Sequence, residues 1–451
     1  MKKIFAIVSI FSLIWVSCDV LDVNPQHSIP EDQAINSRND ALRAITGCYD
    51  ALQAVGYYGR NYIVVGDLAA DNLIWSGTTA GYNQIDNNSI LADNTIVEGI
   101  WADIYRLLNR VNNLIVRLPD LDDISEGERN EMLAEMYFLR ALAHFDLVRL
   151  FGAVPIRTQP VTINEDDLNI PRSPADDVYQ QVFDDILLAE QNMNASGSFV
   201  SAKASYPAVL ALKAKVNLYY YSITNNKSYL DTAIEAASNV INDFGFSLEN
   251  DFAFLFSGNN NSETIFEVDF NEQDRNRMAE YFFPTNLSGR HEFTPHKLLY
   301  NAFIENDARK DASIGINQAD TFALKYNDIE TGTDNVYVFR LSEMYLIRAE
   351  ARALKQTDVE GIQDDINTVR GRAGLNPVTT NDFTALLQHI GEQRRLEFAF
   401  EGHRWFDLVR TGRAVEVLEG VTQDYQTLFP IPLNEILAND AITNDDQNPG
   451  Y

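Results

Sequence analysis

The sequence predicts a mostly α-helical protein: a scaffold of paired helices carrying loop-rich, ligand-binding insertions and a few short strands. Three observations carry this reading. Apolar residues recur at spacings of three and four over long stretches, which is one face of a 3.6-residue helix. The 23 glycines and 14 prolines make 37 of 451 residues, about 8% against a typical ~12%, too few for a turn-rich β-sandwich. Small residues recur where neighbouring helices would cross, for instance Ala208, Ala211 and Ala214 opposite Ala233 and Ala237.

Taken in order, the chain opens on Lys2 and Lys3 and an apolar run over 4–16. At about 1.5 Å per residue that run is too short for a ~30 Å hydrocarbon core and reads as a signal-peptide core. Val16-Ser17-Cys18 follows, a small residue before cysteine, as in a bacterial lipobox. The expectation is a signal over 1–17, acylation of Cys18, and a polar tether over 18–35 containing Pro25 and Pro30. Cys48, the one other cysteine, then has no disulfide partner and reads as a buried thiol. A single body over 36–451 remains. Its helical scaffold is expected at about 36–55, 95–245 and 340–410.

Within the scaffold, Leu133, Tyr137, Ala141, Phe145, Val148 and Phe151 form one helix face, stopped by Gly152 with Pro155 beyond. Further helices read at 38–54, 95–118, 175–193, 206–222, 229–243, 341–355, 359–372 and 385–410. Pairs such as 206–221 with 229–241 resemble tetratricopeptide repeats of roughly 34 residues. Two regions break the pattern. Residues 56–94 are rich in Gly, Asn, Asp and Tyr, and residues 255–340 hold short strands at 265–270, 322–326 and 336–339 amid irregular chain. Long loops on a rigid scaffold usually carry function, so both are expected on the ligand side.

Charge narrows the partners. Lys plus Arg number 35 against 65 Asp plus Glu, a net charge of −30. Such a surface repels phosphate backbones and anionic headgroups, so no nucleic acid partner is expected, and the membrane is met only through the lipid anchor. No His-Glu-x-x-His, Gly-x-Ser-x-Gly, Gly-x-Gly-x-x-Gly or phosphate-loop motif occurs. His291 and His296, five apart, suit no helical metal spacing, and the acidic run at 164–167 reads as a solvated loop. Neither metal nor cofactor is expected.

Five segments, in order, resemble the SusD/RagB family of outer-membrane lipoproteins from Bacteroidetes: LRALAHFDLVRLFGAVP at 139–155, FRLSEMYLIRAEA at 339–351, NTVRGRAGL at 367–375, EQRRLEFAFEGHRWFDLVR at 392–410, and FPIPLNEI at 429–436 running on to QNPGY at 447–451. The resemblance implies four tetratricopeptide-like helix pairs and no enzyme activity. It also implies a cell-surface role, binding poly- or oligosaccharide and delivering it to a SusC-type TonB-dependent transporter in the outer membrane. Acidity disfavours anionic glycans and leaves a neutral glucan or fructan ahead.

The segments themselves read as structural. Glu397 and Glu401, with Arg394, Arg404 and Asp407 among Phe398, Phe400, Trp405 and Phe406, must be paired, because an unpaired buried charge costs several kcal/mol. Two glutamates on one helix face suit an ion-pair lattice better than glycoside hydrolysis, which needs carboxyl groups on opposite sides of the sugar. Arg140, in an apolar helix, reads as a buried carboxylate's partner.

A sugar site needs flat rings for its C–H faces and polar side chains for its hydroxyls. The stretch 66–82 has that mixture: Trp75 lies among Asp71, Asn72 and Gly77, flanked by Tyr57, Tyr58 and Tyr82. The family resemblance points to this loop and to a second segment near 270–300, where Phe283, Arg290 and His291 are the expected contacts. A tetratricopeptide adaptor would instead carry its exposed aromatics on helix faces, and a lipid-anchored glycoside hydrolase would show a carboxylate pair across a cleft.

Overall fold

The computed structural model describes residues 35–161, 168–258 and 261–451. The expected signal segment, Cys18 with most of its tether, and the acidic run at 164–167 lie outside the described residues. The helices begin where the sequence supplies caps. In α1 (Arg38–Leu52) the Ser37 side chain accepts the Asp40 N–H. After α2 (Asn61–Leu68), β1 (Leu73–Trp75) and α3 (Ala80–Asp86), Asn94 caps α4 (Thr95–Arg117) by accepting two N–H groups. Helix α5 (Glu126–Phe151) ends at Gly152, whose φ of 70° a side chain would resist. Then follow α6 (Ala175–Asn192), α7 (Tyr206–Thr224) and α8 (Ser228–Asp243).

After α8 the chain leaves the scaffold. It forms β2 (Thr264–Val268), α9 (Met278–Phe282), β3 (Phe293–Pro295), α10 (Lys297–Ala302), α11 (Ala308–Ser313), β4 (Ile314–Asn317), β5 (Asp320–Ala323) and β6 (Val336–Arg340). It returns as α12 (Leu341–Lys355), α13 (Val359–Arg372), α14 (Phe383–Glu397) and α15 (Arg404–Arg410). Neighbours pack in a running stack: α1 on α4, α4 on α5, α5 on α6, α6 on α7, α7 on α8, α8 on α12, and α12 on α13 and α14. The expected helical-pair scaffold is therefore present, with α8 meeting α12 directly across the insertion. The strands form separate antiparallel pairs: β1 with β3, β2 with β6, β4 with β5.

Two readings need correction. The 385–410 stretch is not one helix: α14 stops at Glu397, Phe400 takes φ 67° and Gly402 φ 77°, and α15 starts at Arg404. The break lets this turn lie against α2 backbone to backbone. A Cβ on Gly66 would sit 2.3 Å from the Gly402 carbonyl oxygen, and Asp67 accepts the Gly402 N–H at 2.8 Å. The 56–94 region also holds two helices. Every residue of α2 is buried, so it shows no polar face to announce it, and α3 is only seven residues long.

The charged residues of the segments form the expected lattice. Arg340 (2% exposed) donates to Glu397 at 2.6 Å, Glu263 at 2.8 Å and Glu401 at 2.9 Å. Arg372 pairs with Glu263 and Glu397, Arg309 with Asp307 and Glu397, and Lys325 with Glu401. Four cations thus face four carboxylates, and the buried set is neutral, the condition under which buried charge is tolerable. Glu401 enters it from the turn, not from the helix face that carries Glu397. Beside it, Arg394 and Arg410 share Asp407. In the first segment Arg140 meets Asp185 at 2.7 Å. Cys48 is a buried free thiol.

Candidate functional site

Strand pairing decides which loops meet. Trp75 of β1 stands opposite Phe293 of β3, and Leu73 opposite Pro295, so the two expected ligand-side regions are joined although far apart in sequence. The Ser76 hydroxyl donates to the His291 carbonyl at 2.7 Å and closes the seam. Aromatic rings fill it. Trp75 lies 4.7 Å from Tyr82 and 4.8 Å from Phe293, and Tyr281 lies 5.9 Å from Phe293. Rings at these distances in tilted geometry are mutually attractive beyond the area they bury.

Guanidinium groups finish the outer side. Arg60 stands 4.2 Å from the Tyr281 ring centre and Arg290 stands 4.4 Å from it, both within cation–π range. Arg290 also donates to Glu292 at 2.6 Å and to the Tyr281 hydroxyl at 3.1 Å. The Arg290 side chain is 44% exposed. Its hydrogen bond to Glu292 is the main reason its pKa is raised, so it is a permanent cation. Trp75 is 7% exposed, covered by the following loop: a Cβ on Gly77 would meet the indole at 2.4 Å. Its Nε1 is buried and has no hydrogen-bond partner. Burial also raises the Tyr82 hydroxyl to about 12, against the lowering pull of Arg60.

Not every expected contact faces outward. Tyr58 is corrected from ligand contact to interior strut: with Tyr57 and Tyr62 it donates to the Asp146 carboxylate at 2.6–2.8 Å. Burial first, then the Asp146 charge, raises its hydroxyl well above the ordinary range. Asp71 and Asn72 need the same correction. Asp71 is paired to Arg404 at 2.7 Å and Arg395 at 2.9 Å. Asn72 is wholly buried, donating to Asp67 at 2.6 Å and accepting from Arg395 at 3.1 Å. Their polar groups tie the first loop to α14 and α15 and are buried away from a sugar.

Tyr82 is buried, with its hydroxyl donated to Asn61 at 2.6 Å and its ring packed on Trp75 and Phe293, so it supports the seam from within. Phe283 is half-buried against Phe322, 4.6 Å away. His291 is half-buried, its Nε2 within 3.1 Å of the Thr321 carbonyl. The seam thus brings Trp75, Tyr82, Arg290 and His291 together and leaves Tyr58, Asp71 and Asn72 beneath it. Arg60 and Glu292 belong to it and were missed. Glu292 sits two residues from Arg290, an opposite charge within easy reach in sequence, and that proximity could have found it. Nothing local marks Arg60. Among the described residues no cluster of His, Cys, Asp or Glu is arranged to hold a metal, and no helix is long and apolar enough to cross a membrane.

With this geometry in place, likeness to known proteins is informative. Residues 300–420 match the family described as SusD family, and residues 19–218 match one described as starch-binding, associating with the outer membrane. The SusD-like protein P38 of Formosa agariphila is 28% identical over the full length of both chains. The starch-binding protein SusD of Bacteroides thetaiotaomicron is 34% identical over 128 residues, 26% of this chain and 22% of that one. Among solved structures, a laminarin-binding SusD-like protein superposes with a TM-score of 0.81 at 26% identity, covering 92% of this chain and all of that one. A SusD superfamily protein from Parabacteroides distasonis gives 0.83 at 25% identity over the same shares.

Proposed function

The chain belongs to the SusD/RagB family, and from that premise we propose that it is a lipid-anchored, outer-membrane glycan-binding protein. It captures a poly- or oligosaccharide at the cell surface and passes it to a SusC-type TonB-dependent transporter. Residues 1–17 direct export, Cys18 carries the lipid, 18–35 form the tether, and 36–451 act as one body. The observation that carries the reading is the β1–β3 seam, which joins both inserted regions over a buried layer of indole and phenol rings and leaves the Arg290 guanidinium exposed on top of it. Its sugar contacts are Phe283, Arg290 and His291, with Arg60 and Glu292 beside them, and Trp75, Tyr82 and Tyr281 form the aromatic layer that positions them. Stacking rings and fixed donors bind sugar hydroxyls and C–H faces without any proton transfer, so no catalytic group is required.

The competing roles fit less well. Among the described residues the exposed aromatics Phe199, Phe254 and Tyr425 lie outside the scaffold helices, whereas an adaptor would present them on helix faces. Glu397 and Glu401, the candidate hydrolytic pair, are spent on Arg340. A net charge of −30 favours a neutral glucan or fructan over an anionic glycan.

The test is affinity electrophoresis of the mature protein in gels containing laminarin, starch, inulin or a sulfated fucan. Retardation by one of the neutral polymers and none by the fucan is expected, with a large barrel protein copurifying from mild detergent. A protein that ignores all three neutral polymers and purifies alone from native membranes would sink the proposal.

A further inference from the structure

Away from the seam, the chain forms an open cavity of about 420 Å³, within the ~300–1,000 Å³ range of small-molecule sites. Four stretches of the described residues wall it: the lead-in to α7 (199–201), the exit from α8 (244–246), residues 255–258 with 261–267, and residues 325–337. It shares no residue with the seam. Its lining is ordered by chemistry. At the mouth stand Phe199 and Phe246, rings 5.0 Å apart, with Phe199 37% and Val200 63% exposed. Deeper lie Phe256 and Tyr337, rings 6.0 Å apart. Between them the walls carry amides, hydroxyls and two carboxyl groups, Glu267 and Asp334.

The charge balance excludes an anionic ligand. Lys325 lines the cavity, but its ammonium is committed to Glu401 at 2.6 Å and to the Glu397 carbonyl at 2.7 Å. Glu267 accepts the Ser201 hydroxyl at 2.7 Å, and Asp334 accepts the Asp328 N–H at 2.8 Å. Neither has a cation within ion-pair distance among the described residues. A carboxylate offers about four lone-pair sites, so both keep accepting capacity beside open space. Burial holds both carboxyls above their ordinary range, Asp334 at about 6, as expected of acids short of partners. A ligand suited to this lining presents many donors, an apolar face for the rings and no negative charge.

We propose that the cavity is a second carbohydrate subsite that takes a short, neutral saccharide end. The subsite stands on the cavity's own chemistry and adds to the seam-based function.

Calorimetric titration of the mature protein with laminaritriose and maltotriose tests this, with a uronic-acid trisaccharide as the anionic control. The variants are Val200→Trp, which plugs the mouth from an exposed position, Glu267→Gln, and Arg290→Ala in the seam. Wild type should bind a neutral trisaccharide at two sites and the uronic acid at least tenfold more weakly. Val200→Trp, with an unchanged melting temperature, and Glu267→Gln should each remove one site or weaken it at least tenfold. Arg290→Ala should affect only the other. A single site lost in Arg290→Ala and untouched by both cavity variants would overturn the subsite and leave the seam standing. Binding lost only in the cavity variants would support the subsite and count against the seam. Absence of neutral trisaccharide binding, preference for the uronic acid, or release of new reducing ends would overturn the proposal.

Discussion

Replacing Glu397 by Ala unbalances the buried lattice. Glu397 is fully buried, and its carboxylate accepts from Arg340 at 2.6 Å and Arg309 at 3.4 Å and pairs with Arg372. The four cations then face three carboxylates, and one positive charge is left in an interior that cannot solvate it. Breaking a buried pair from one side costs about 3–5 kcal/mol. With an unfolding entropy near 2.1 cal/mol/K per residue, the 451-residue chain should lose about 3–5 °C in melting temperature. Glu397→Gln keeps the shape and loses the charge, so it should fall nearly as far. The double variant Glu397→Gln/Arg372→Gln restores neutrality and should recover part of the loss, a coupling that a double-mutant cycle reads directly. Burial alone would raise the Glu397 carboxyl, but Arg372, Arg340 and Arg309 outweigh it and hold the group well below its ordinary range. Its contribution is therefore complete above the unfolded value of about 4.3 and is lost only as pH falls through the depressed folded value. Calorimetric melts of wild type and variant should run parallel from pH 8 to 5 and converge in strong acid. A Glu397→Ala protein melting within a degree of wild type at pH 7 would mean that the lattice is solvated.

Four further outcomes follow from the sequence and the structure. Trp75→Ala removes an indole packed on Tyr82 and Phe293 and should cost about 3–5 kcal/mol together with glycan affinity. Arg290→Ala, at an exposed position, should weaken binding while the melting temperature holds, and an Arg290→Ala protein of full affinity would remove that residue from the site. Cys18→Ala should move a folded protein from the membrane pellet to the soluble fraction, and continued tight membrane association would refute the lipid anchor. Asp407, held at about 2 by Arg394 and Arg410 against the raising effect of burial, stabilises above its unfolded value of about 3.9 and loses this as pH falls toward 2. The melting difference between wild type and Asp407→Asn should therefore be large at pH 7 and vanish near pH 2, and a constant difference would place its role in shape alone.

Much of the architecture is local and so could be read from the chain itself. Helix faces repeat every 3.6 residues, Ser125 and Gly152 bracket α5, and the Arg and Glu residues set among aromatic side chains at 392–410 had to be paired because burial forbids isolated charge. The lipobox-like pattern Val16-Ser17-Cys18 and the acidity are likewise properties of the sequence alone. Exposure is not local. Asp71, Asn72 and Tyr58 have the composition of a sugar site, yet Arg404, Arg395, Asp67 and Asp146 claim their polar groups from distant segments. The seam exists because β1 finds β3, and the cavity because four separate stretches close around it. Both depend on pairings between residues far apart in sequence, whose free energy comes from the whole packed fold, and that is why the tertiary structure alone decides which side chains a ligand can reach.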